Sequence, residues 1–177
     1  ESYKQTQDTP VNTQADDPSG LSTADRTTER KTVRLSHQFE DIDSNLFNLN
    51  TVFYHTEIAL NEKRIIDKRK DKITLVTDGL NIQNQSSWKL AEADNLLTYG
   101  LEWYQDEQTS SRDGESLRTY PNATVQVIGI FLQDELIWQK KWELILGLRY
   151  DRFVTKAKEF DSSRSQNQLS PKFTTSY

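Results

Sequence analysis

The sequence predicts an all-β protein, an antiparallel up-and-down β-barrel of the membrane-spanning kind. Three observations carry the prediction. Apolar and polar side chains alternate in successive segments, short connections alternate with long polar ones, and aromatic residues gather at both ends of the segments.

Composition sets the outer bounds. The 177 residues are 34% hydrophobic and 28% charged. No run of roughly 20 apolar residues exists, which excludes a helical membrane protein. A barrel is not excluded, because its strands are apolar on one face only. Lys and Arg number 22 against 27 Asp and Glu, a net charge of -5, so no nucleic-acid partner is expected. Cysteine is absent, leaving no disulfide framework and no thiolate metal site. The chain starts at Glu1 and contains no Met, which points to an excerpt of a longer protein.

Residues 1–28 are rich in Thr, Gln, Asp, Ser and Pro and are expected to form a polar extracellular loop or a disordered segment. Residues 29–177 are expected to form part of the barrel. The first strand is predicted over 31–39, with Val33, Leu35, His37 and Phe39 on one face and Thr32, Arg34, Ser36 and Gln38 on the other. The second and third, over 46–60 and 73–88, alternate less cleanly. The fourth covers 95–107: Leu97, Tyr99, Leu101 and Trp103 oppose Thr98, Gly100, Glu102 and Tyr104. The fifth covers 124–138. The sixth, over 142–157, sets Trp142, Leu144, Leu146, Leu148 and Tyr150 against Glu143, Ile145, Gly147, Arg149 and Asp151. A seventh begins near Leu169.

Connections at 40–45, 89–94 and 139–141 are short; those at 61–72, 107–123 and 159–168 are longer and polar. That alternation marks short periplasmic turns and long extracellular loops. Trp88, Trp138 and Trp142 flank the short turns, whereas Tyr99, Trp103, Tyr104, Tyr150 and Phe153 lie towards the opposite strand ends. Trp142 to Tyr150 spans nine residues, close to the ~9–11 that cross a bilayer at a tilt.

No catalytic residue and no metal site is read from the sequence, and no enzymatic activity is expected. His37 and His55 fall within predicted strands and lack the spacing of a metal pair. The acidic pairs Asp106-Glu107 and Asp134-Glu135 lie on strands, so neighbouring carboxylates point to opposite faces and form no dyad. The basic residues Lys63, Arg64, Lys68, Arg69 and Lys70 fall in a predicted long loop, where contact with lipopolysaccharide phosphates or a protein ligand stands beside plain solvation.

Four stretches add a resemblance. Leu97-Thr98-Tyr99-Gly100-Leu101-Glu102-Trp103-Tyr104-Gln105-Asp106-Glu107-Gln108 resembles a strand of haem and haemoglobin receptors in the TonB-dependent family. Gly129-Ile130-Phe131-Leu132-Gln133-Asp134-Glu135, Leu146-Gly147-Leu148-Arg149-Tyr150-Asp151-Arg152-Phe153 and Leu169-Ser170-Pro171-Lys172 are similar to motifs shared more widely in that family. The resemblance implies about seven strands of a 22-stranded outer-membrane barrel, with a plug and a TonB box outside this chain. It implies energy-coupled import of haem, taken from a host haemoprotein, with the TonB complex, the lipid bilayer and lipopolysaccharide as partners. No cofactor is implied within this segment; haem would be cargo. The family's haem-binding histidine loop is expected beyond Tyr177, so no haem-binding residue carries over. Two other readings stay open: a receptor for a siderophore or other metal chelate, and a soluble all-β binding module.

Overall fold

The computed structural model describes residues 2–10, 23–65, 68–117 and 120–177. They form one antiparallel sheet: β1 (Ser2–Pro10), β2 (Thr23–Glu40), β3 (Asn48–Arg64), β4 (Lys70–Leu90), β5 (Ala93–Arg112), β6 (Glu115–Ser116), β7 (Ala123–Trp138), β8 (Trp142–Ala157) and β9 (Ser162–Ser176). Each strand of the main path pairs with its sequence neighbour in the order β1-β2-β3-β4-β5-β7-β8-β9, while the short β6 pairs with β5. A 3-10 turn, Lys158–Phe160, joins β8 to β9. The all-β antiparallel meander expected from alternation is thus present; closure into a barrel is a property of a longer wall.

Strand boundaries depart from expectation mostly at the end of the sheet where long connections were expected. In the segment expected as loop or disorder, Ser2–Pro10 pairs with Thr23–Lys31; residues 11–22 lie outside the described residues. Much of the expected long connections is strand. β3 continues to Arg64 and β4 starts at Lys70, β5 continues to Arg112, and β9 starts at Ser162 rather than near Leu169. The expected short connection at 40–45 runs from Asp41 to Phe47. The contrast read as turn against loop is therefore largely one of apolar against polar strand. Backbone pairing needs no apolar side chain, and a strand wetted on both faces loses the period-two signal.

Register sorts the side chains into two faces. Val33, Leu35, Phe53, Ile128, Ile130, Leu132, Leu146, Leu148, Leu169 and Phe173 share one face and are all exposed. Arg34, Tyr54, Asn81, Glu102, Phe131, Arg149 and Ser170 share the other. The polar face is the more enclosed: on β7, Val127 is 4% exposed, whereas Ile128 and Ile130 on the apolar face are 38% and 56% exposed. A water-soluble sheet buries its apolar side; this one covers its polar side.

The apolar band crosses the sheet obliquely. Phe39, Leu49, Asn84, Tyr99, Leu132 and Leu148 lie in one register row. Phe39 ends the apolar run of β2 at that row, while the run of β8 continues past Leu148 to Trp142. The band slides by about one residue per strand, ~3.3 Å of rise for ~4.8 Å of strand spacing, which makes an angle of roughly 35°.

Candidate functional site on the polar face

The polar face is built by side chains that alternate strictly on long strands, so its geometry follows from register. At its centre Arg149 of β8 joins two carboxylates. Its Nε donates to both oxygens of Asp151 at 2.9 Å, and its Nη2 lies 2.6 Å from Glu102 of β5. The guanidinium also sits over the Phe131 ring, 5.9 Å from its centroid. Asn81 of β4 donates to the other Glu102 oxygen at 3.0 Å, and Thr77 donates to Asp106 at 2.6 Å. Three strands, β4, β5 and β8, are thus tied by charge-assisted hydrogen bonds that reach across β7, and such bonds are shorter and stronger than neutral ones.

Three glycines make room for this layer. Gly79 faces the Tyr54 ring, Gly100 faces the Phe131 ring and the Ile82 carbonyl, and Gly129 lies against Arg149 and Asp151. Each glycine is the cross-strand partner of a large residue: Tyr54 with Gly79, Phe131 with Gly100, Asp151 with Gly129. Alternation alone did not identify these pairs. Each pair depends on the register of its own strand pair, β3 with β4, β5 with β7 or β7 with β8, which alternation does not supply.

Towards the end of the sheet formed by the long polar strands, the same face carries charged clusters. Arg26 pairs with Glu62. Arg112 and Arg69 both pair with Asp71, at 2.9 and 3.1 Å. Beyond them, two connections meet: the Ser116 hydroxyl donates to Glu159 at 2.6 Å. That hydrogen bond, foremost among several influences, holds the Glu159 carboxyl below its ordinary titration range.

Both histidines lie on the apolar-face side of the register. His37 pairs with Thr51 and His55 with Val33 and Asp78; His55 Nδ1 is 2.7 Å from Asp78. Neither belongs to the polar-face cluster. The acidic pairs divide between faces as strand geometry requires: Asp106 and Glu135 fall on the polar side, Glu107 and Asp134 on the other. Asp134 sits across from Leu97 and Leu146, its Oδ1 buried without a hydrogen-bond partner among the described residues. No cluster of metal-binding type occurs among the described residues.

Among the described residues this arrangement sets out no nucleophile, no acid–base pair poised over a pocket and no nucleotide cradle. It gives a wall, ionic on one side and oily on the other. The model of the TonB dependent receptor-like β-barrel matches residues 1–177. The chain belongs to that family. Among curated relatives, a hemin receptor of Yersinia pestis is 26% identical over 147 residues, which cover 81% of this chain and 21% of the relative. The chain spans about a fifth of the length of the curated relatives it matches. Among solved structures, a double mutant of the Serratia marcescens hemophore receptor HasR, in complex with its hemophore HasA and heme, superposes with a TM-score of 0.69 at 15% identity. It covers 98% of this chain and 28% of that one. BauA, the ferric preacinetobactin receptor of Acinetobacter baumannii, gives a TM-score of 0.62 at 11% identity over 87% of this chain and 28% of its own. At these identities the superpositions speak for the fold, that of a TonB-dependent receptor wall.

Proposed function

We propose that this chain is part of the transmembrane wall of a TonB-dependent receptor that imports haem across a bacterial outer membrane. The observation that carries the membrane reading is the exposed apolar face set against an enclosed, ion-paired polar one. Large contiguous apolar surface is tolerated in lipid and penalised in water. The obliquity of the band agrees with the roughly 35–45° tilt of strands in such barrels. Residues 29–177 then belong to the barrel wall, the polar face lines the lumen, and the long polar strands rise on the extracellular side.

The cargo reading rests on the relatives. Two are hemin receptors of Yersinia species and a third is a heme/hemopexin utilization protein of Haemophilus influenzae, at 24–28% identity. Haem, or a protein carrying it, is accordingly the proposed ligand. TonB is the proposed energy-coupling partner, acting through parts of the receptor outside this chain. A siderophore receptor is the second reading, favoured by the fold-level likeness to BauA.

The test is growth of an iron-starved strain that depends on the full-length receptor. Growth on hemin that is lost when TonB is deleted supports the proposal. Growth on a ferric siderophore but not on hemin would replace it with the second reading.

A further inference from the structure

The polar face carries one block that is not polar. On β3 and β4, Ile58 lies directly across from Leu75, and Leu60 from Ile73. All four point to the same side as Tyr54 and Glu102. The block's four Cα positions span roughly 5 Å by 7 Å, from strand spacing and rise. It begins five residues beyond Phe53, the end of the apolar run on β3, and so sits roughly 16 Å along the strand from the lipid-facing band. In the water-filled extracellular part of a barrel, an aliphatic square on the inner wall has no lipid to meet.

Its border on the β2 side is cationic, while Glu62 and Asp71 next beyond it are paired with Arg26, Arg69 and Arg112. Arg30 of β2 lies directly across from Ile58, and Arg34 directly across from Tyr54. Both arginine side chains are exposed, and neither makes a side-chain hydrogen bond or ion pair among the described residues. Arg26, four residues from Arg30, is engaged by Glu62. The wall thus offers a flat apolar surface edged on one side by two uncommitted guanidinium groups. A guanidinium fork matches a carboxylate in geometry and charge.

We infer that this block is an extracellular docking surface for a flat, apolar macrocycle bearing carboxylates along one edge, namely a metalloporphyrin. The ring lies on Ile58, Leu60, Ile73 and Leu75, and Arg30 and Arg34 receive the carboxylates. This inference rests on the haem reading above and adds the place and polarity of contact.

The test uses the full-length receptor in detergent, with hemin and hemin dimethyl ester as probes. Arg30→Glu with Arg34→Glu, both at exposed positions, is expected to raise the Kd for hemin about tenfold, the scale of a lost charge-assisted contact. The same variant should leave the Kd for the ester within about twofold, because the ester has no carboxylate to lose. Leu60→Asn with Ile73→Asn should weaken both probes, and heat-modifiable migration in gels reports whether that variant still forms its barrel. An unchanged Kd for hemin in the arginine variant overturns the inference while leaving haem uptake standing. Equal weakening of hemin and ester by the arginine variant overturns the carboxylate assignment. A wild-type receptor that binds a ferric siderophore and no hemin overturns the inference together with the haem reading.

Discussion

Gly79, Gly100 and Gly129 each receive a large side chain from the neighbouring strand, yet they differ in what a methyl group would meet. At Gly79 it would meet the Tyr54 ring, which can swing; at Gly100 it would meet the Ile82 backbone carbonyl, which cannot. Gly100→Ala should therefore cost about 1–3 kcal/mol, the usual range for overpacking, and Gly79→Ala less. Urea midpoints of the refolded receptor read the order directly, and the reverse order would show that the backbone at Gly100 yields. Asp134 presents the opposite case. Its buried Oδ1 lacks a partner among leucines, so Asp134→Leu should stabilise the receptor by about 1–3 kcal/mol, the penalty of an unsatisfied buried polar group. A loss of stability in the same measurement would mean the carboxylate is satisfied in the membrane. The histidines complete the residue scale. His37 and His55 point to the apolar-face side, so His37→Ala with His55→Ala should leave hemin-dependent growth intact at normal receptor abundance. Loss of growth would give one of them a ligand-handling role.

Among the elements, legibility tracked chemistry rather than pairing. β8 was readable to the residue at both ends, because Trp142 through Tyr150 alternate with Ile145 alone out of pattern. β1 was not readable, because Ser2–Pro10 holds no apolar row to reveal a period, though its backbone pairs with β2 along its length. Turns showed the same divide. Asp113 and Gly114, at φ 50° and 92°, are the residue types that a tight hairpin turn selects. Gln139 and Lys140 adopt φ 53° and 56° with none of that chemistry, and only the flanking tryptophans marked their position. The polar-face cluster was partly legible: alternation gave Glu102 and Arg149 a common face, but their contact needed the register of two intervening strand pairs. On β8 the face assignment has a sharp consequence. Leu146→Arg should cost about 2–4 kcal/mol, the cost of a guanidinium near the bilayer midplane, whereas Ile145→Arg on the lumenal face should cost under about 1 kcal/mol. Equal penalties in refolding titrations into lipid vesicles would contradict the two-faced strand.

At the scale of the whole molecule, no single strand explains the chain. Its eight-strand path leaves an exposed apolar surface on one side and an enclosed ionic layer on the other. These are the two solvents of a barrel wall, and the slant of the boundary between them across the sheet is the tilt of its strands. The reading of Arg149, Glu102 and Asp151 as lumenal, and of the extracellular aliphatic block as a docking surface, depends on that orientation. It is tested most directly by placing single cysteines at Leu146 and Gln133 of the full-length receptor, in outer membranes. Asp134 pairs with Leu146, so Gln133 is its near neighbour on the opposite face. A bimane probe at position 146 should be quenched by nitroxide-bearing lipids and resist a charged thiol reagent, while position 133 should react with the charged reagent and escape lipid quenching. Quenching at 133 and aqueous reactivity at 146 would turn the wall inside out and contradict the account.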